Sequence, residues 1–171
     1  MSSLIDDDYD LNRIIVRPLY FGMLSNIILP VAGLFVCYYF NNKGPRPNML
    51  GESSDMVFYL FLAMAVGETA LAVWWRTKFF KSPMIRTKET FERDFSDEYL
   101  KRSRPLFILI ASISIYGYIY YYLTGEFNAA AWFVVGSFLV FQLVRPRHGL
   151  VRKLIEQQMK LVEQGQFLRT M

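Results

Sequence analysis

Residues 56–75 read MVFYLFLAMAVGETALAVWW, twenty positions in which the only charged side chain is Glu68. A helix that crosses a hydrocarbon core about 30 Å thick needs about 20 mainly apolar residues, and this stretch supplies them. Three more stretches of the same kind, 19–41, 105–124 and 127–144, contain no Asp, Glu, Lys or Arg at all. Of the 34 charged residues in the chain, 33 therefore lie outside the four stretches. A water-soluble helix must carry charge along its outward face, so this partition excludes an ordinary globular domain. The mean hydropathy of +0.21 hides the partition, because it averages a nearly uncharged part with a densely charged one. Disorder, collagen-like repeats and a disulfide scaffold are excluded as well: the chain is 53% hydrophobic, lacks a glycine period and has one Cys.

In lipid every backbone N–H and C=O must be bonded internally, so spans of this length are expected to be helices. The alternating pattern of a membrane β-barrel strand is absent. The sequence thus predicts an all-α, four-helix (tetraspan) integral membrane bundle. It divides into an N-terminal segment 1–18, a four-span domain 19–144 with a loop at 76–104, and a tail at 145–171. Pro30 and Gly33 near the middle of the first span predict a kink there, since proline removes one backbone donor and crowds the preceding turn. Pro105 suits the first turn of the third span. Gly125 and Glu126 form the whole turn between the third and fourth spans, which predicts a tight hairpin.

Orientation follows from the basic residues. Seventeen Lys and Arg fall in the N-terminal segment, the 76–104 loop and the tail, against only Lys43 and Arg46 on the opposite side. This predicts that both termini and the long loop are cytoplasmic, in a plasma or inner membrane. Aromatic residues gather near the span ends, as at Tyr38, Tyr39, Phe40, Trp74, Trp75 and Trp132, where their amphipathic rings suit the headgroup level. The run from Tyr116 to Tyr122 reads as another such belt, with a ligand groove as the sharper alternative. The acidic start of the chain lacks the basic region of a signal peptide, so the first span is expected to act as an uncleaved anchor.

Three segments face water on the basic side. The cluster Asp6, Asp7, Asp8 and Asp10 lacks the glycine and spaced oxygens of a calcium loop and reads as a solvated acidic segment. In the 76–104 loop, Phe91, Phe95, Tyr99 and Leu100 recur at helical spacing and predict a short amphipathic helix on the bilayer surface. In the tail, Leu150, Val151, Leu154, Ile155, Gln158 and Val162 share one helical face, predicting an amphipathic helix that ends near Gly165. Its cover is the membrane surface, the chain's own loop or a partner. Phe91, Phe95, Tyr99, Leu150, Leu154, Ile155 and Val162 are accordingly the candidate docking residues for lipid or a partner. The basic groups are mixed with five acids in the loop and cluster at membrane ends, which points to anionic headgroups rather than nucleic acid.

Within the spans, Glu68 is the residue to explain. An ionisable group at membrane depth is costly, so it is expected to face the bundle interior. Ala65 and Ala72 share its face, and Ala63 and Gly67 form a small-xxx-small pair beside it, both read as allowing close helix approach. Counted from the basic ends, Glu68, Asn26, Ser112 and Ser137 each lie seven residues in, or about 10 Å at 1.5 Å per residue. One polar layer across all four helices is the expectation, serving as interhelical glue or, alternatively, as a proton- or cation-handling site. One His and one Cys leave no zinc site, haem pair or redox pair, and no nucleophile set, P-loop or dinucleotide motif is present. The expected function is therefore a non-catalytic accessory, assembly or scaffold subunit of a membrane complex, without cofactor or metal, pairing with another membrane protein or with its own copies. The alternative is a small oligomeric transporter or channel subunit that uses Glu68.

Overall fold

The computed structural model describes residues 11–44 and 46–168. Among them there is no strand; the chain is built from helices α1 (Leu11–Met23), α2 (Leu29–Asn41), α3 (Ser54–Phe79), α4 (Phe91–Thr124), α5 (Phe127–Val144) and α6 (His148–Glu163). Four helical stretches, Ile14–Asn41, Gly51–Lys78, Phe91–Thr124 and Phe127–Val144, are long and apolar enough to cross a membrane. Their outward faces carry large apolar side chains, with Met56 77% and Trp132 72% exposed. Contiguous apolar surface of that extent is what lipid, not water, tolerates. The chain is an all-helical, multi-pass integral membrane protein.

The irregularity expected at Pro30 takes a specific form. Leu24–Ile28 is a π-helical segment joining α1 to α2, and Leu29 donates its N–H to Leu24 O, one residue further back than in an α-helix. Pro30 then sits in the first turn of α2. Widening the turn ahead of the proline relieves the ring's crowding and absorbs its missing donor.

The third span differs from expectation at its start. Pro105 does not begin the helix; α4 runs without interruption from Phe91 and carries Pro105 inside it. The proline deprives only the Lys101 carbonyl of its usual partner, and Lys101 is exposed, at the end of the span where water can serve that oxygen. The predicted short surface helix is thus the first part of a 34-residue helix. At its other end Gly125 adopts φ +75, and its N–H bonds Tyr121 O at 2.8 Å. A side chain there would meet Arg46 O at 3.0 Å, so this turn favours glycine twice over.

Helix α4 organises the packing. It touches α1, α2, α3 and α5, most extensively α5. At their crossing Gly117 has no room for a Cβ, which would lie 2.7 Å from Phe133 Cβ and 3.0 Å from Ala130 O. The two backbones meet directly there, as small residues permit in membrane bundles. At the basic end the core of the bundle, with Leu106, Phe107 and Phe141, continues into Phe91, Phe95 and Tyr99 of α4, Met84 and Ile85 of the connecting loop, Ile14 and Ile15 of α1, and Val151, Ile155 and Val162 of α6.

Candidate functional site

Of the four polar residues counted into one layer, Ser112 lies on α4 and the other three bond to α4 within a turn and a half of it. Asn26, in the π segment and buried, donates its amide to Phe107 O at 3.2 Å and to Gly22 O at 3.1 Å. Ser137 of α5 donates to Ile110 O at 3.0 Å. Glu68 of α3 accepts at Oε2 from Ser112 Oγ at 2.8 Å. Ser112 Oγ also lies 2.5 Å from Leu109 O, and with one proton it serves one acceptor at a time. Each neighbouring helix therefore ties itself to the same segment of α4. Of the four layer residues, only Glu68 and Ser112 bond each other.

Two further participants were not singled out from the sequence. Tyr116 Oη donates to Glu68 Oε1, so both carboxylate oxygens are engaged by hydroxyls from α4. Tyr118 Oη donates to Pro30 O at 2.6 Å, with its ring lying where Gly33 leaves space; a Cβ on Gly33 would stand 2.7 Å from Tyr118 Cζ. A signal existed for the first: Tyr116 follows Ser112 by four residues and so shares its helical face. Reading 116–122 as an interface belt obscured it. Tyr121 lies under the Arg46 guanidinium at 5.3 Å, and Arg46 also covers Phe40 at 5.0 Å, which anchors the loop at the opposite end.

The surroundings of Glu68 divide differently from the expectation. Ala65 and Ala72 are buried on its side of α3. Ala63 and Gly67 are exposed and face away, and a Cβ on Gly67 would meet nothing within 4 Å. At 100° per residue, positions 63 and 67 fall on the far side of the helix from 65, 68 and 72. Glu68 itself is half-buried.

Of the seven residues expected to dock on lipid or a partner, the structure turns most inward. Phe91, Phe95, Tyr99, Ile155 and Val162 are buried in the chain's own core, and Leu154 packs against it; Leu150 stays 43% exposed. The faces of the loop and the tail cover each other because both become available at the same end of the bundle. Polar clamps fix this arrangement. Gln158, fully buried, accepts from Met84 N at 2.9 Å and donates to Ser82 O at 3.1 Å. Arg102 reaches Ser82 O at 3.2 Å and Pro83 O at 2.8 Å while paired with Glu98 at 3.0 Å. The acidic cluster at residues 6–10 lies outside the described residues. Among the described residues no group of three or more metal-ligating side chains comes together.

Chemically, a carboxyl group held by two hydroxyls can serve as an interhelical tie or can exchange a proton with them. Interhelical polar contacts in membranes contribute about 0.6 kcal/mol on average and at most about 1.7 kcal/mol. A double-mutant cycle of Glu68→Gln with Tyr116→Phe, read by reversible unfolding in lipid or detergent, is expected to give a coupling of about 1 kcal/mol. A coupling indistinguishable from zero would show that the contact contributes nothing to the fold. Set against known proteins, the chain matches no family model, no curated protein and no solved structure.

Proposed function

We propose that the protein is a non-catalytic accessory or assembly subunit that packs its α3 helix against another membrane protein or a second copy of itself. One observation carries the reading: α3 presents Ala63, Gly67 and Ala70 on its exposed side, with open space over Gly67. Small residues in that arrangement let a neighbouring helix come close. The polar side of the same helix is already occupied within the chain, where Ser112 and Tyr116 hold Glu68. The proposed orientation places the basic end, with the 80–90 loop and α6, in the cytoplasm of a plasma or inner membrane. Lys88→Cys should then be closed to a membrane-impermeant maleimide added outside intact cells, and labelling from outside would reverse the orientation.

A photo-cross-linking residue at position 63 tests the helix contact. It should capture a membrane-embedded partner or a second copy of the chain, and Gly67→Leu should reduce that capture at least tenfold. Equal capture with and without Gly67→Leu would contradict the reading. A second reading is favoured by the half-burial of Glu68 beside two hydroxyls: an oligomeric proton- or cation-coupled transporter subunit. Reconstituted vesicles under a pH gradient decide it, since ion flux lost in Glu68→Gln would replace the accessory reading.

A further inference from the structure

We infer that a groove at the basic end of the bundle is a binding site for one anionic phospholipid. The groove, about 530 Å³, lies where α3, α4, α5 and α6 converge. Its floor is apolar and buried at Leu106, Phe107 and Val151, while Leu143, 62% exposed, and Leu150 continue it onto the outward surface of the spans. Its rim carries Arg76, Lys81 and Lys153, and no carboxylate lines it.

Part of the positive charge at this end is matched within the chain. Arg17 pairs with Asp97, Lys101 and Arg102 with Glu98, and Arg152 with Glu156. Among the described residues Arg76, Lys81 and Lys153 make no ion pair. Arg76 is instead held at the edge by Nη1 donating to Leu143 O at 2.7 Å, which ends its side chain where the span meets the groove. An occupant must therefore be an amphiphile: an anion for three cations, joined to an apolar chain that passes Leu150 and Leu143 into the bilayer. A phosphate diester on a diacylglycerol has that form, whereas a soluble anion would leave the apolar floor uncovered. Basic groups at a bilayer surface each favour anionic lipid by about fivefold in binding.

The inference rests on the membrane-spanning reading and is tested separately from it. The full chain, purified in a mild neutral detergent, is titrated with phosphatidylglycerol, phosphatidylcholine and glycerol 3-phosphate, and bound molecules are counted by native mass spectrometry. One phosphatidylglycerol per chain is expected, with phosphatidylcholine at least 20-fold weaker and glycerol 3-phosphate unbound. Arg76 also ties α3 to α5, so Lys81→Gln with Lys153→Gln carries the test and should weaken phosphatidylglycerol by about 25-fold. Thermal unfolding without added lipid should stay unchanged, as no hydrogen bond among the described residues uses either ammonium group. Removing equal charge elsewhere at the same end, Arg86→Gln with Lys88→Gln, should leave binding intact. Equal losses in the two double variants would reduce the effect to diffuse surface attraction and overturn the site. Tight binding of glycerol 3-phosphate would overturn the lipid as occupant. Release of the chain from membranes by alkaline carbonate would instead refute the spanning reading beneath it.

Discussion

Gly117→Ala is expected to destabilise the bundle by about 1–3 kcal/mol, and Gly117→Leu to prevent the α4–α5 hairpin from closing. The added Cβ would stand 2.7 Å from Phe133 Cβ, 3.0 Å from Ala130 O and 3.1 Å from Ala130 Cα. Two of these three atoms are backbone, so relief requires the helices to separate rather than a side chain to turn aside. Overpacking of a close contact costs about that much when neighbours cannot yield. The separation would propagate, because Ser137 reaches Ile110 O across the same interface. Gly136→Ala serves as the matched control: a Cβ there meets nothing within 4 Å, and the gain in helix propensity should leave stability unchanged or slightly raised. Reversible unfolding followed by circular dichroism separates the two. Equal midpoints for Gly117→Ala and Gly136→Ala would show that α4 and α5 do not cross here.

Phe95→Ala should cost about 3–5 kcal/mol, the range for truncating a fully buried phenylalanine. Phe95 is 0% exposed and stacks between Phe91, with ring centroids 6.3 Å apart, and Tyr99 at 5.8 Å. The residues it supports join the loop to α6, so the loss is felt locally before the spans are affected. Gln158 and Arg102 clamp the same loop through its backbone and would be left holding a segment without a core beneath it. Arg86 and Lys88 are exposed, but the backbone at Arg86 is held by Asp94; opening frees it to enter the trypsin cleft, and cleavage there should accelerate by about 100-fold or more, as 3 kcal/mol implies when opening precedes cleavage. The spans should stay folded under the same conditions. An unchanged cleavage rate would mean that the loop and α6 are not covered by one another.

The membrane class of the fold was legible because lipid imposes a simple demand. A run of about 20 residues with at most one charge can satisfy it only as a helix, and the spans around Pro30, Glu68, Gly117 and Gly136 each declare themselves on that ground. The polar layer was legible for a related reason. Depth is a matter of counting along a rigid helix, so Asn26, Glu68, Ser112 and Ser137 could be aligned without knowing which helices touch. Their convergence on α4 could not, since it depends on helix order and rotation. Rotation also explains Ala63 and Gly67: small residues suit an inward and an outward face equally, and hydropathy does not tell lipid from a bundle interior. The start of α4 was obscured by Arg102, Arg104 and Pro105, which look like punctuation yet fall where an exposed turn tolerates a missing bond. Phe91, Phe95 and Tyr99 were placed on the correct face of a helix. What that face covers is set by α1 and α6, far away in the chain.

On the proposed function, α3 packs against another membrane protein or a second copy of the chain, and no chemistry at Glu68 is needed. The mass of the particle extracted with its native lipids tests this most directly, with the wild type compared against Gly67→Leu. With lipid mass subtracted, the wild-type particle is expected to hold well above the 20.1 kDa of a single chain, and Gly67→Leu to hold the protein mass of one chain with an unchanged helical spectrum. A wild-type particle containing one copy of the chain and no other protein would contradict it.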